Sequence, residues 1–89
     1  MVDAARNKAA MKEAVDTLNQ IAGSPTTPKT IKKSISDLLE GLGDPEYSLS
    51  VRAANAISTL DDVTQDPNMP SFVRTQLWQA VSKLESIRE

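Results

Sequence analysis

The chain contains neither cysteine nor histidine. Without them there is no disulfide, no thiol nucleophile, no imidazole base and no soft ligand set for zinc or another transition metal. Most enzyme classes lose their usual chemistry at that point. Glycine is equally scarce, with three residues placed singly at 23, 41 and 43, so no glycine-rich loop exists to cradle a phosphate. Aromatics amount to one Phe, one Tyr and one Trp. No apolar run approaches the roughly 20 residues needed to span a bilayer, and Met1-Val2-Asp3-Ala4-Ala5-Arg6-Asn7-Lys8 lacks the apolar stretch of a signal peptide. A cytoplasmic protein with no membrane segment is the resulting expectation.

What remains is the composition of an ordinary globular domain: 39% apolar residues, 25% charged residues and a net charge of −2 over 89 residues. That length suits one domain, 1–89, which buries only about 60–65% of the surface its unfolded chain exposes. A mildly acidic chain has no general attraction for nucleic acid, so such binding needs a local basic patch.

Apolar positions recur with helical period throughout. The central segment has Leu49, Ala53, Ala56, Ile57, Leu60 and Val63 on one stripe. A first helix from about Asp3 to Ala22 buries Met11, Ala14, Val15, Leu18, Ile21 and Ala22, and Gly23 ends it. In Gly23-Ser24-Pro25-Thr26-Thr27-Pro28, Pro25 stops the helix and Thr26 or Thr27 offers an N-cap hydroxyl to a second helix. That helix carries Ile31, Ile35, Leu38, Leu39 and Leu42. Ser48 caps a third, which ends near Gln65 before Asp66-Pro67-Asn68-Met69-Pro70. The fourth reaches almost to Glu89 and buries Val73, Leu77, Ala80, Val81, Leu84 and Ile87. The expected core is Val15, Leu18, Ile21, Ile31, Ile35, Leu38, Leu39, Ile57, Leu60, Val63, Val73, Leu77, Val81 and Leu84.

A shift of 42 positions superposes Ala14 on Ala56, Thr17 on Thr59, Leu18 on Leu60, Pro25 on Pro67, Pro28 on Pro70 and Leu42 on Leu84. Two similar helical hairpins, 1–43 and 44–89, therefore form the expected unit. Short connections make consecutive helices antiparallel, giving an all-α four-helix up-and-down bundle. A pair of HEAT-type repeats is the alternative, but two repeats make a poor solenoid.

Among the carboxylates, Asp61 and Asp62 are adjacent, so they diverge by about 100° around a helix and make a poor acid–base pair. No catalytic residue, cofactor site or metal site is expected. Two surface features stand out. Lys29, Lys32 and Lys33 crowd the opening of the second helix, where the backbone dipole is already positive. With the hydroxyls of Ser24, Thr26, Thr27 and Thr30 they form a candidate anion site for phosphate or an RNA backbone, against the plainer reading of a solvated lysine cluster. Arg74 and Trp78 lie four apart on the fourth helix, and their counterparts under the repeat are the polar Lys32 and Ser36. That places the pair outside the shared core as a candidate surface for another protein or for self-association. Its alternatives are a Trp78 that covers the bundle edge and an Arg74 bonded to a neighbouring carboxylate. Arg52, at the border of the third helix's stripe, is expected to pair with a carboxylate of the next helix.

Ser50-Val51-Arg52-Ala53-Ala54-Asn55-Ala56-Ile57, then Leu60-Asp61, Asn68-Met69-Pro70, Arg74-Thr75 and Trp78 together resemble an uncharacterised family of short, all-helical archaeal proteins. The resemblance spans nearly the whole chain. It implies a compact helical bundle in an archaeal cytoplasm and supplies neither an activity nor any site residue. The expectation is a non-catalytic interaction or structural module.

Overall fold

The structure, a computed structural model, describes residues 3–88. Four helices follow one another: α1 (Ala4–Gly23), α2 (Lys29–Leu42), α3 (Leu49–Thr64) and α4 (Ser71–Glu85). α1 starts where the Asp3 carboxylate accepts the Arg6 amide at 3.0 Å, and α3 where the Ser48 hydroxyl accepts the Val51 amide at 3.3 Å. Each satisfies one of the amides that the first turn of a helix leaves without a partner.

Each helix packs on its sequence neighbours, and α4 returns to pack extensively on α1, closing the ring. The architecture is thus an all-α four-helix bundle. Across its middle the backbones of α1 and α3 approach each other, whereas among the described residues those of α2 and α4 do not. α1 and α3 turn Ala10, Ala14, Ala53 and Ala56 inward beside Met11, Leu18, Ile21 and Leu60, while α2 and α4 contribute Ile31, Ile35, Leu38, Leu42, Val73, Leu77, Ala80 and Leu84.

Leu18, Leu60, Val73 and Leu77 are fully enclosed. Four residues of the expected core, Val15, Leu39, Ile57 and Val63, are only partly buried and pack at its margin. The buried positions recur at one spacing in every helix. Met11, Ile31, Ala53 and Val73 are all buried, and so are Leu18, Leu38, Leu60 and Ala80, each set separated by steps of 20, 22 and 20 along the chain.

The loops repeat as well. Ser24-Pro25-Thr26-Thr27-Pro28, Asp44-Pro45-Glu46-Tyr47-Ser48 and Asp66-Pro67-Asn68-Met69-Pro70 share one turn. In each, the first residue's carbonyl accepts the amide three residues on, at 3.2, 3.4 and 3.1 Å. Its side-chain oxygen accepts the amide two residues on, at 3.3 Å from Thr26 and 2.9 Å from both Glu46 and Asn68. The proline at the second position has the φ this turn requires and no amide to leave unpaired.

Two helix ends differ from the sequence expectation. Neither Thr26 nor Thr27 caps α2; Pro28 holds the N-cap position with extended backbone and no side-chain bond. The Thr27 hydroxyl turns back to donate to the Ile21 carbonyl at 2.8 Å, closing the end of α1, and Thr27 is buried there. α4 stops at Glu85 instead of running on toward Glu89, which lies with Met1 and Val2 outside the described residues. The Ser86 hydroxyl donates to the Lys83 carbonyl at 2.6 Å, Ile87 enters the core, and Arg88 meets the buried side chain of Asn7. The Asn7 amide donates to the Arg88 carbonyl at 2.7 Å and its oxygen accepts the Arg88 N–H at 3.1 Å. That two-bond clasp ties the tail to α1.

Candidate interaction surfaces

Every aromatic of the chain stands outside the core. Tyr47 is 50% exposed, Phe72 53% and Trp78 46%, so no aromatic ring fills the interior. Phe72 and Trp78 belong to the outer face of α4, together with Ser71, Thr75, Gln76, Gln79 and Ser82, all exposed and all uncharged; the exposed charges of α4, Lys83 and Glu85, come only in its last turn. The outer faces of the other helices are charged. α1 exposes Lys8, Lys12, Glu13 and Asp16, α2 Lys29, Lys33, Asp37 and Glu40, and α3 Asp61 and Asp62. Aromatic enrichment with local depletion of charge is the compositional mark of a protein contact surface.

Arg74 is not part of that exposed face. Its Nε donates to the Thr64 carbonyl at 3.0 Å and its Nη2 to the Asp66 carbonyl at 3.4 Å, clasping the end of α3 and the loop beyond it. The last carbonyls of a helix lack intrahelical partners and carry the negative end of its dipole, which is what draws the guanidinium. Arg74 therefore bonds backbone, neither a carboxylate nor a free surface. Arg52 does the same one loop earlier. Instead of pairing with a carboxylate of the next helix, its Nε donates to the Tyr47 carbonyl at 2.7 Å, with Nη1 at 3.5 Å from the Leu42 carbonyl. Both arginines sit in the first turn of their helix and fix the loop that leads into it.

Between α2 and α3 lies a groove of about 370 Å³. Gly41 and Ala56 leave the space, Leu38 and Leu42 give it an apolar floor, and Asp37, Asp44, Tyr47 and Arg52 line it. The Asp44 carboxylate already accepts the Glu46 amide and Arg52 is bonded to backbone, so these charges are largely committed to holding the loop.

At the α2 start, Lys29 and Lys33 are exposed and Lys32 is half-buried. The hydroxyls expected to join them do not converge there. Thr27 faces Ile21, and the Ser24 and Thr26 hydroxyls bond each other at 2.8 Å. The phosphate reading thus gains no support from the geometry. Asp61 and Asp62 are both exposed, and no group of three or more acidic side chains able to hold a metal ion occurs among the described residues. Elsewhere the Lys12 ammonium is held above its ordinary pKa by its hydrogen bond to the Asp16 carboxylate, at 2.7 Å, and by that carboxylate's charge. Lys83 of α4 reaches Glu13 of α1 at 3.2 Å. No helix is long and apolar enough to cross a membrane among the described residues.

Fold and surface together define a small all-α four-helix bundle. The chain belongs to the Uncharacterised protein family (UPF0147), which it matches over residues 1–87. A UPF0147 protein of Metallosphaera sedula is 43% identical over 83 residues, covering 93% of each chain. One of Aeropyrum pernix is 42% identical over 85 residues, covering 96% of this chain and 93% of the relative. Both are archaeal. The crystal structure of the unknown-function protein MMP1188 superposes with a TM-score of 0.87 at 36% identity, covering 100% of this chain and 98% of that one. The family carries no assigned biochemical role.

Proposed function

We propose that this protein is a non-catalytic interaction module of the cytoplasm that docks through the outer face of α4, with Phe72 and Trp78 as its anchors. One observation carries the reading: the chain's single Phe and single Trp both stand half-exposed on one helix, along a stretch, 71–82, whose exposed residues are all uncharged, over a core that needs no aromatic. A large aromatic surrenders substantial burial energy when it is left in water, so its place on a surface calls for a partner. Arg74, tied to the α3 end, supports the fold beneath this face and is not an anchor.

The test is affinity capture of the tagged protein from its native cytoplasm, comparing the parent with Phe72→Ala and Trp78→Ala. Both variants should keep the parent's melting temperature to within the equivalent of about 1 kcal/mol while retention of the specific partner falls by at least tenfold. Recovery of the same partners in the same amounts by parent and variants would sink the reading.

A further inference from the structure

Resting on the reading of α4 as the contact face, we propose that its occupant is a second copy of this chain, packed antiparallel across a twofold axis that passes at Thr75. In an antiparallel helix pair of this symmetry, a residue a given number of steps before the axis lies level with the residue the same number of steps after it on the partner. Phe72 and Trp78 lie three steps either side of Thr75, and Ser71 and Gln79 four steps either side. Each Phe72 is therefore level with a Trp78 of the other copy, and four aromatic rings surround the central pair of threonines.

Three properties of the face favour its own copy over a charged partner. A twofold contact brings every charge near the axis against its own duplicate, and the residues exposed from Ser71 to Ser82 include none to duplicate, Lys83 and Glu85 lying beyond them in the last turn. The nearby cations are engaged elsewhere, Arg74 on the Thr64 and Asp66 carbonyls and Lys83 on Glu13. At the axis, the Thr75 hydroxyl already donates to the Ser71 carbonyl at 3.1 Å, so its small side chain allows close helix approach without burying an unpaired donor. The area suits a reversible dimer. Four half-exposed aromatics supply about 100 Å² each, and the neighbouring Ser, Thr and Gln side chains bring the total to roughly 800–1,000 Å², below the roughly 1,200 Å² at which stable interfaces begin and in the range of weak, transient contacts. Association should accordingly depend on concentration.

Sedimentation equilibrium over micromolar to millimolar protein tests this directly, with the emission of the single Trp as a second signal. The parent should dimerise, and the Trp78 emission should shift to shorter wavelength as it does. Thr75→Glu and Thr75→Lys, at an exposed position, should keep the helical circular dichroism and each weaken self-association at least a hundredfold, because each places a charge opposite its own duplicate. Mixed in equal amounts, the two variants should form a heterodimer. A parent that stays monomeric at millimolar concentration, a Thr75→Glu variant that dimerises as well as the parent, or a mixture that fails to associate would each overturn the proposal. Self-pairing and the broader reading fail separately: a monomeric parent whose captured partner is lost on Trp78→Ala refutes the twofold dimer and leaves α4 as a docking face for another protein.

Discussion

Asn7→Ala probes the clasp that no hydrophobic pattern announces. Asn7 is 3% exposed and holds Arg88, 81 residues away, through one donated and one accepted hydrogen bond. At about 1 kcal/mol net each, the two bonds contribute roughly 2 kcal/mol. If the tail detaches, Ile87 leaves the core as well, and an isoleucine is worth about 1.5–3 kcal/mol on full burial. Partial hydration of the freed tail offsets some of this, so we expect a loss of about 2–4 kcal/mol, or roughly 10–25 °C in melting temperature for a domain of this size. Hydrogen exchange shows where the loss falls: the Arg88 and Ile87 amides should lose protection first, whereas Leu18 and Leu60 should exchange only through global unfolding. Asn7→Asp sharpens the test. Its carboxylate accepts from the Arg88 N–H but sets a second oxygen against the Arg88 carbonyl, and only the protonated acid restores the donor. Burial and that carbonyl raise the folded-state pKa above the ordinary value of about 3.9, so the folded form binds more protons than the unfolded. Stability relative to the parent is thus greatest below about pH 4 and falls as pH rises through the raised pKa. An Asn7→Ala variant with the parent's melting temperature and unchanged Arg88 exchange would refute the reasoning.

Leu60→Ala, at a site with no exposure, should cost about 2–5 kcal/mol through lost burial and a residual cavity, and a melting-temperature change near zero would contradict its central position. Arg74→Met keeps the aliphatic stem but strands the Thr64 and Asp66 carbonyls, and should cost about 1–3 kcal/mol in urea denaturation; an unchanged midpoint would mean that water replaces the guanidinium without loss. Trp78→Ala should stay within about 1 kcal/mol of the parent in the same assay, and a larger loss would return the residue to the core.

The four helices were legible because each carries a stripe at helical period and is bounded by proline, glycine or a capping side chain. Periodicity assigns a face and says little about depth. Val15, Leu39, Ile57 and Val63 lie on the correct faces but at the edge of the ring, Ala53 and Ala56 on the same stripe are buried, and Met69 takes a buried place that its loop position concealed. Buried polar residues were illegible for a different reason: Asn7, Thr27 and Thr64 are inside because backbone groups distant in sequence or at helix ends need them. Arg52 and Arg74 stand out in the sequence, but their partners are main-chain carbonyls, which every residue carries and no sequence pattern marks. The exposed Trp78 followed from its polar counterpart Ser36. Phe72, equally exposed, carries the same signal, since its counterpart 42 positions earlier is the polar Thr30.

The recurrence of 42 positions also has a simpler origin than a duplicated hairpin requires. Each helix has its principal inward positions at intervals of four, three and four: Met11, Val15, Leu18 and Ala22; Ile31, Ile35, Leu38 and Leu42; Ala53, Ile57, Leu60 and Thr64; Val73, Leu77, Ala80 and Leu84. Every one of these is buried or partly buried. Helix-to-helix steps of 20, 22 and 20 connect the sets, so any shift spanning two consecutive steps is 42, and the one-helix period vanishes from a search at a single offset. The middle step is longer because α3 begins four residues before Ala53, the first of its four principal inward positions, with Leu49 also packed against the core, whereas α2 and α4 begin two residues before theirs. That extra half-turn changes which face of the first turn Arg52 occupies, yet its distance from the preceding loop is the same as that of Arg74: each lies eight residues after the aspartate that opens the turn and ten after the carbonyl it clasps. Register with the loop, not with the core stripe, therefore sets the arginine's position. The clasp belongs to the connection, and the connection is what recurs most faithfully along this chain.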